Sequence, residues 1–494
     1  MPYPTAMSKP GSNRADLVQA PKKPHRFRSL TGCLTCRRRK KKCDETRPKC
    51  MGCNRNHEQC IWPPAPARRN GRNPVPKRTS SPEEVNPSVP WLNLAGAFLS
   101  PLRASALTKT SSILFAHYLA ETSGLLSALP RGCDNPFLTV LVPLCCNDDL
   151  LMHSLLALSG SHMGLKSSGI EVYTATYRHY SIAIRTLRDC ICDLTTPDTA
   201  RAMRILIVLM MLSLFESLTG NAQAAMFSHL RASRQLVLQL VSSPQQSSSD
   251  DSSRLLSFVL GVYRYLVLIN SITPFGAIRS RALPDDTFLD DFVSTMTRFD
   301  TNEAIFGGSH GLFRVLPSIA ALAARRLTEQ DPSPESSEMY QALHVRIAEW
   351  KSPEPIFLDQ KWRSQREAAL ALCREAALLY METAMFPNAP SDTLLRTRIQ
   401  DHVDTIMLRA EQAAGSPCES ILLCPLIIAG SCMVRTDQRQ CLQASLRSTR
   451  FHMDHYVQAA QLLELVWNDP SERIFGPYGL GIVMQRHEIN LGVA

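Results

Sequence analysis

From residue 111 onward, apolar residues recur at the three-to-four spacing of helices. Leu114, Tyr118, Leu125 and Leu129 share one face of a first amphipathic segment that stops at Pro130. The same period predicts helices over residues 148–165, 172–194, 198–218 and 222–241, with Pro197 placed as a first-turn proline and Gly220 as a C-terminal stop. Further helices are predicted over 254–270, 312–328, 337–350, 365–385 and 394–414, and Tyr456, Ala460, Leu463 and Trp467 mark one more. Between them, residues 242–253 hold almost nothing apolar and read as an exposed, flexible loop, a tether before a phosphorylation site. No βαβ alternation and no period-two run interrupts the series. The expected fold is mainly α, with an all-α domain over 111–490.

The periodicity is missing upstream. Residues 1–30 are rich in Pro, Ser and basic residues and read as a disordered basic tail, in which Lys22 to Arg28 is a solvated stretch, part of a nuclear import signal or a contact to phosphates. Eight prolines between Pro63 and Pro90 make 63–110 an extended linker and exclude a coiled coil there. Charge divides along the same line. Residues 1–80 carry 20 Lys and Arg against 4 Asp and Glu, while the remaining 414 carry 34 against 40, so a net +10 hides a head of +16 on a body of −6. A basic head without an amphipathic apolar face points to nucleic acid rather than a membrane surface. The start of the chain shows no apolar secretory region, and the longest apolar runs, 205–215 and 421–434, are too short to span a bilayer. The expected setting is a reducing compartment, where clustered cysteines bind metal rather than pair.

What remains is the segment 31–62. Cys33, Cys36 and Cys43 have the spacing C-x2-C-x6-C, and Cys50, Cys53 and Cys60 repeat it 17 residues later. Two separate structural zinc sites need eight ligands, so six cysteines suffice only if two thiolates bridge two zinc ions. The repeat makes Cys33 and Cys50, which open each half, the natural bridges; His57 is the one nearby substitute ligand. The first half is filled by Arg37, Arg38, Arg39, Lys40, Lys41 and Lys42, a run suited to a polyanion, and the second by Asn54 to Gln59.

These residues resemble the fungal binuclear zinc-cluster transcription factors, a resemblance that extends to Gly32, Arg37, Lys42, Asp44 and Pro48 around the ligands. It implies that the first helix enters the DNA major groove with Lys40 at base edges and Arg39 assisting, while Arg37, Arg38, Lys41 and Lys42 hold phosphates; the expected target is a CGG-like half-site. The body resembles the helical fungal-specific regulatory domain through His117-Tyr118, Asn135-Pro136-Phe137, 155–159, Phe215-Glu216, Gly220, His229-Leu230, 425–430 and the helix to Trp467. The implied protein is a nuclear, sequence-specific regulator of RNA polymerase II transcription, acting on metabolic or secondary-metabolite genes. Its expected partners are double-stranded DNA and the transcription machinery or co-regulators, as monomer or homodimer. The alternative of another class is a zinc-dependent RNA- or chromatin-binding adaptor without base readout.

Other signals are weaker. Gly307-Gly308-Ser309-His310-Gly311 fits G-x-S-x-G, with His344 or His402 as a base, but its upstream sequence is helical where a nucleophile elbow needs a strand. It reads as a glycine-rich loop opening a helix, and no enzyme is expected. His117, His153, His162, His179 and His229 lack metal-ligand spacing, and Cys145-Cys146 and Cys190-x-Cys192 read as core thiols.

Overall fold

Asp198, Ser333, Asp359 and Asp392 each stand one residue before a helix, and each side chain accepts a backbone N–H of the following turn. These caps satisfy donors that a helix start leaves orphaned, so the helices begin where such residues meet an apolar period. The computed structural model describes residues 33–39, 41, 43–61, 107–166, 169–192, 198–220, 223–242, 250–272, 283–284, 286–289, 292, 301–355, 359–387, 392–448, 453–471 and 474–493. It divides the chain into two units, 1–86 and 87–494.

The first unit contains two five-residue helices, α1 (Leu34–Arg38) and α2 (Met51–Arg55), and its interior is made of cysteines. So short a segment has no other apolar material to bury.

The second unit is all-α, and no strand occurs among its described residues. α3 (Lys109–His117) runs through a π turn at Tyr118–Thr122 to a last helical turn ending at Leu125. α4 (Pro136–Thr139) and α5 (Leu141–Asn147) lead into α6 (Asp149–Lys166), which packs against α3, α7 (Ile170–Cys192) and α8 (Thr199–Leu218). Residues 205–215 of α8 are all buried, as a helix apolar on every side requires. α9 (Ala225–Ser242) and α10 (Asp250–Asn270) cover it further. α10 is long and apolar enough to cross a membrane, with a mean hydropathy of 1.4, but 72% of that window is buried within the unit and Arg264 on it is 1% exposed. It is a core helix, longer than either of the apolar runs 205–215 and 421–434.

After α11 (Thr301–Phe306), α12 (His310–Phe313) and α13 (Leu316–Arg326), α14 (Pro334–Ala348) and the 26-residue α15 (Gln360–Met385) form a second layer with α16 (Thr393–Ala413). A 3-10 turn at Pro417–Ile421 precedes α17 (Leu423–Cys432), α18 (Thr436–Arg447), α19 (Asp454–Trp467) and α20 (Gly476–Arg486). Two expectations change. Residues 250–253 belong to α10, whose first turn is acidic, so its start lies inside the expected loop. The single helix expected over 312–328 is two, because the fixed φ and missing N–H of Pro317 start a new helix. The tail 1–30 and nearly all of the linker 63–110 lie outside the described residues.

Candidate metal centre and nucleic-acid face

The spacing of two residues between cysteines fits the start of a helix, where the second thiol turns back over the first. Cys50 caps α2 in this way, its Sγ accepting the N–H of Cys53 at 3.3 Å, and the N–H of Cys36 meets Cys33 Sγ at the same distance. The third cysteines repeat the symmetry, for Cys33 N–H donates to Cys43 Sγ at 3.5 Å and Cys50 N–H to Cys60 Sγ at 3.4 Å. Sulfurs of Cys33, Cys36, Cys43 and Cys50 lie within 4.8 Å of one another, as do those of Cys33, Cys50, Cys53 and Cys60. Cys33 and Cys50 belong to both groups.

This donor set fits zinc. Tetrahedral thiolates at about 2.3 Å from the metal stand about 3.8 Å apart, and within the quartets Cys33–Cys50, Cys33–Cys53 and Cys36–Cys50 are 3.7, 3.7 and 3.5 Å. The thiols differ in acidity. Burial pushes Cys33 well up and Cys36 up to about 12, whereas the N–H of Cys53 holds Cys50 down and that of Cys50 holds Cys60 down. A divalent cation among these sulfurs would stabilise their thiolate forms and reverse the upward shifts that burial imposes. His57 is exposed and in neither group.

α1 is fastened to the end of the second half. Leu34 N–H donates to Ile61 O at 2.7 Å, the Thr35 hydroxyl donates to Gln59 O at 2.7 Å, and Ile61 N–H donates to the same hydroxyl at 3.2 Å. Thr35 is 2% exposed. Asp44 links the end of the first half to the start of α2, accepting from the Thr46 hydroxyl at 2.5 Å and the Met51 N–H at 3.1 Å, contacts that hold its carboxyl down at about 2. Neither Thr35 nor the tie from Asp44 to Met51 was found by sequence reasoning. The Asp44 spacing matches no local cap, and a threonine between two ligands carries no signal of its own.

The expected DNA residues are only partly in view. Arg37 and Arg38 close α1, Arg39 reaches Glu58 of the second half at 3.7 Å, and Lys41 is exposed. Lys40 and Lys42 lie outside the described residues. Arg47, Lys49 and Arg55 add exposed positive charge around the unit.

In the helical unit Ser309 follows a helix, is fully buried, and gives its hydroxyl to Phe306 O at 2.6 Å. Gly307 and Gly308 have φ of +55° and +92°, and a Cβ on Gly308 would lie 2.3 Å from Arg366 Nη2. The glycines make room for a guanidinium, and no nucleophile elbow forms. His153 and His179 meet at 2.7 Å and His117 and His162 at 2.9 Å, so four of the singled-out histidines pack as pairs. Cys145 and Cys146 are buried, and Cys190 accepts from Arg204 at 3.5 Å. Among the described residues, the two thiol groups of the first unit are the only sets of three or more ligands positioned to hold a metal.

Residues 113–473 match the family model of the fungal specific transcription factor domain, and residues 31–70 match that of the fungal Zn(2)-Cys(6) binuclear cluster domain. Transcription factor lfc1 of Flammulina velutipes is 52% identical over 56 residues, 11% of this chain and 20% of that protein. The Zn(2)-C6 fungal-type transcription factor afumD of Aspergillus fumigatus is 28% identical over 206 residues, covering 41% and 50% of the two chains. Transcriptional activator protein UGA3 of Saccharomyces cerevisiae is 24% identical over 163 residues, covering 28% and 31%. The chain thus spans half or less of the length of these relatives. No solved structure matches.

Proposed function

Since this chain belongs to the fungal-specific transcription factor family, we propose that it is a nuclear, sequence-specific regulator of RNA polymerase II transcription that reads CGG-like half-sites in duplex DNA. The observation that carries the reading is the pair of thiol quartets sharing Cys33 and Cys50, with a six-residue basic run between the second and third ligands. The cluster domain takes two zinc ions. Cys33, Cys36, Cys43, Cys50, Cys53 and Cys60 are the proposed ligands, with Cys33 and Cys50 bridging. Bound zinc supplies tetrahedral cross-links and with them most of the folding free energy of this small unit.

The residues themselves do the recognition. Thr35 and Leu34 hold α1 to the end of the second half, and Glu58 steadies Arg39. Lys40, assisted by Arg39, donates to guanine O6 and N7, while Arg37, Arg38, Lys41 and Lys42 neutralise phosphates and fix register. Residues 31–62 act as the DNA-binding domain, and 111–490 as the regulatory domain that meets co-regulators at metabolic or secondary-metabolite genes. Selection of bound duplexes from a random pool by the full, zinc-loaded chain tests this reading. CGG-containing sites should be enriched, and Lys40→Ala should flatten that preference while two zinc ions per chain remain. Enrichment of RNA, or no base preference, would refute it in favour of an adaptor.

A further inference from the structure

The start of α3, His153 of α6 and one face of α7 surround a single cavity of about 550 Å³. That volume falls within the roughly 300–1,000 Å³ of small-molecule sites. The face of α7 that lines it runs at helical spacing from Ile170 to Ile182.

A hydrogen-bonded chain crosses the wall. Thr108 Oγ1 meets Ser111 Oγ at 2.7 Å, Ser111 Oγ meets Nε2 of His179 at 3.0 Å, and Nδ1 of His179 meets Nδ1 of His153 at 2.7 Å. Ser111 and His179 are 3% and 7% exposed, which fixes the chain in place. Two imidazoles joined through Nδ1 share a single proton between those atoms, so the direction of the chain decides what its last nitrogen offers. When Thr108 donates to Ser111, Ser111 to His179 and His179 to His153, Nε2 of His153 carries an N–H. Among the described residues that nitrogen has no hydrogen-bond partner, and it is not sealed from solvent.

Two charges line the same cavity. Among the described residues, the side chains of Arg178 and Glu171 make no ion pair and no hydrogen bond. Burial lowers the pKa of both imidazoles and the Arg178 charge adds to it, so both rings are neutral at pH 7 and the guanidinium lies within electrostatic reach of each. Glu171 stands seven residues before Arg178, about 10 Å along the helix axis, with Thr174 and Ala175 between them on the cavity face. Ile170, next to Glu171 on the wall, is 75% exposed. The cavity therefore offers a cation with a neutral donor in reach, an uncovered apolar side chain and, at the far end, an anion.

We propose that this cavity binds a small monocarboxylate with an apolar body. The carboxylate takes the paired donors of the Arg178 guanidinium and the Nε2–H of His153. The body lies along Thr174 and Ala175 toward Ile170, and Glu171 repels a second carboxylate at that end. Nothing in this depends on DNA recognition, so the site stands or falls separately from the proposed function.

Saturation-transfer NMR titrations of the full, zinc-loaded chain with hexanoate, 1-hexanol and adipate test the site, because the three share six carbons and differ only in what their ends carry. Hexanoate should bind saturably and about tenfold more tightly than 1-hexanol, the difference that charge-assisted hydrogen bonds make, and adipate should bind more weakly than hexanoate. Arg178→Met should bring hexanoate down to the affinity of 1-hexanol, and Glu171→Gln should bring adipate up toward hexanoate. Both side chains are exposed, so neither change should alter the far-UV circular dichroism. A readout that needs no variant is phenylglyoxal modification followed by peptide mass spectrometry: saturating hexanoate should slow the reaction at Arg178 and leave the exposed Arg185, two turns further along α7, unaffected. Absence of saturable binding, equal affinities for hexanoate and 1-hexanol, adipate binding as tightly as hexanoate, or an unprotected Arg178 would each overturn the assignment.

Discussion

Arg366 lies 1% exposed in α15, with Nε 2.5 Å from Glu303 Oε1 and Nη2 3.2 Å from Oε2. Nη1 donates to Ser352 Oγ at 3.2 Å, and the guanidinium lies 5.8 Å from the centre of the Trp362 ring. Glu303 is itself only 8% exposed. Arg366→Met therefore strands a buried carboxylate, and breaking such a pair costs about 3–5 kcal/mol, a large part of the roughly 5–15 kcal/mol that holds an ordinary domain together. Glu303→Leu alone strands the guanidinium at a similar cost. The double variant buries two apolar side chains instead and should come within about 1–2 kcal/mol of the unaltered protein, giving a coupling above about 3 kcal/mol. Gly308→Ala reaches the same network by another route: its Cβ would strike Nη2 at 2.3 Å while its φ of +92° adds about 1–2 kcal/mol of strain. Urea unfolding of the full chain followed by far-UV circular dichroism reads all four, because the helical unit dominates the signal. Single variants costing under about 1 kcal/mol, or effects that simply add in the double variant, would refute the reasoning.

Metal analysis of the full chain should give two zinc ions, and a stoichiometry of one would rule out shared thiolates. Thr35→Val keeps the shape but removes the hydroxyl that donates to Gln59 O and accepts from Ile61 N–H; about 1–3 kcal/mol of local stability should go, with zinc content kept and DNA affinity lowered. Lys41→Ala should weaken binding to all sequences alike and reduce the slope of log affinity against log salt by about one, as titration from low to moderate salt would show. Burial, His153 and Arg178 lower the pKa of His179 to about 4, and burial lowers that of His455 to about 3. These folded values lie below the unfolded value of about 6.5, so stability is full above pH 6.5 and falls as the unfolded chain takes up protons the fold refuses. At pH 5 each ring should cost about 2 kcal/mol, seen as an earlier urea midpoint of the helical signal; a midpoint flat from pH 7 to 5 would contradict it. Ser309→Ala should leave DNA binding unchanged, since the hydroxyl serves only Phe306 O.

How much of the body could be read from sequence depended on whether a helix has a polar side. α7, α9 and α16 alternate between core and water, and their periods lie open in the sequence. α17 was visible only as an apolar run, because all ten of its residues are buried and no face distinguishes it. α4, α5 and α11 are too short to complete a period, and what holds them is tertiary, as when Glu303 of α11 meets Arg366 sixty-three residues later. The start of α10 was hidden because Asp250 to Ser253 look like loop in composition, while acids in a first turn are what a helix dipole favours. In the cluster, ligand spacing repeats at fixed register and is legible. The clamp from Thr35 to the end of the second half is not, because it joins residues more than twenty positions apart through backbone atoms common to every residue type.

That clamp changes what the second half is for. By composition it lacks the basic run of its twin, and ligand counting alone would leave it as a source of three thiols. The geometry gives it two more tasks. Gln59 and Ile61 fix the first turn of α1, and Glu58 reaches Arg39 just beyond its last. The Arg39–Glu58 pair is exposed and adds little to stability, so its effect is on where the guanidinium stands. A helix of five residues is too short to hold its own axis, and here it is held at both ends by the half that lacks the basic run. Under the proposed reading, base specificity is a property of both repeats: one supplies the donors, and the other sets the direction in which they point.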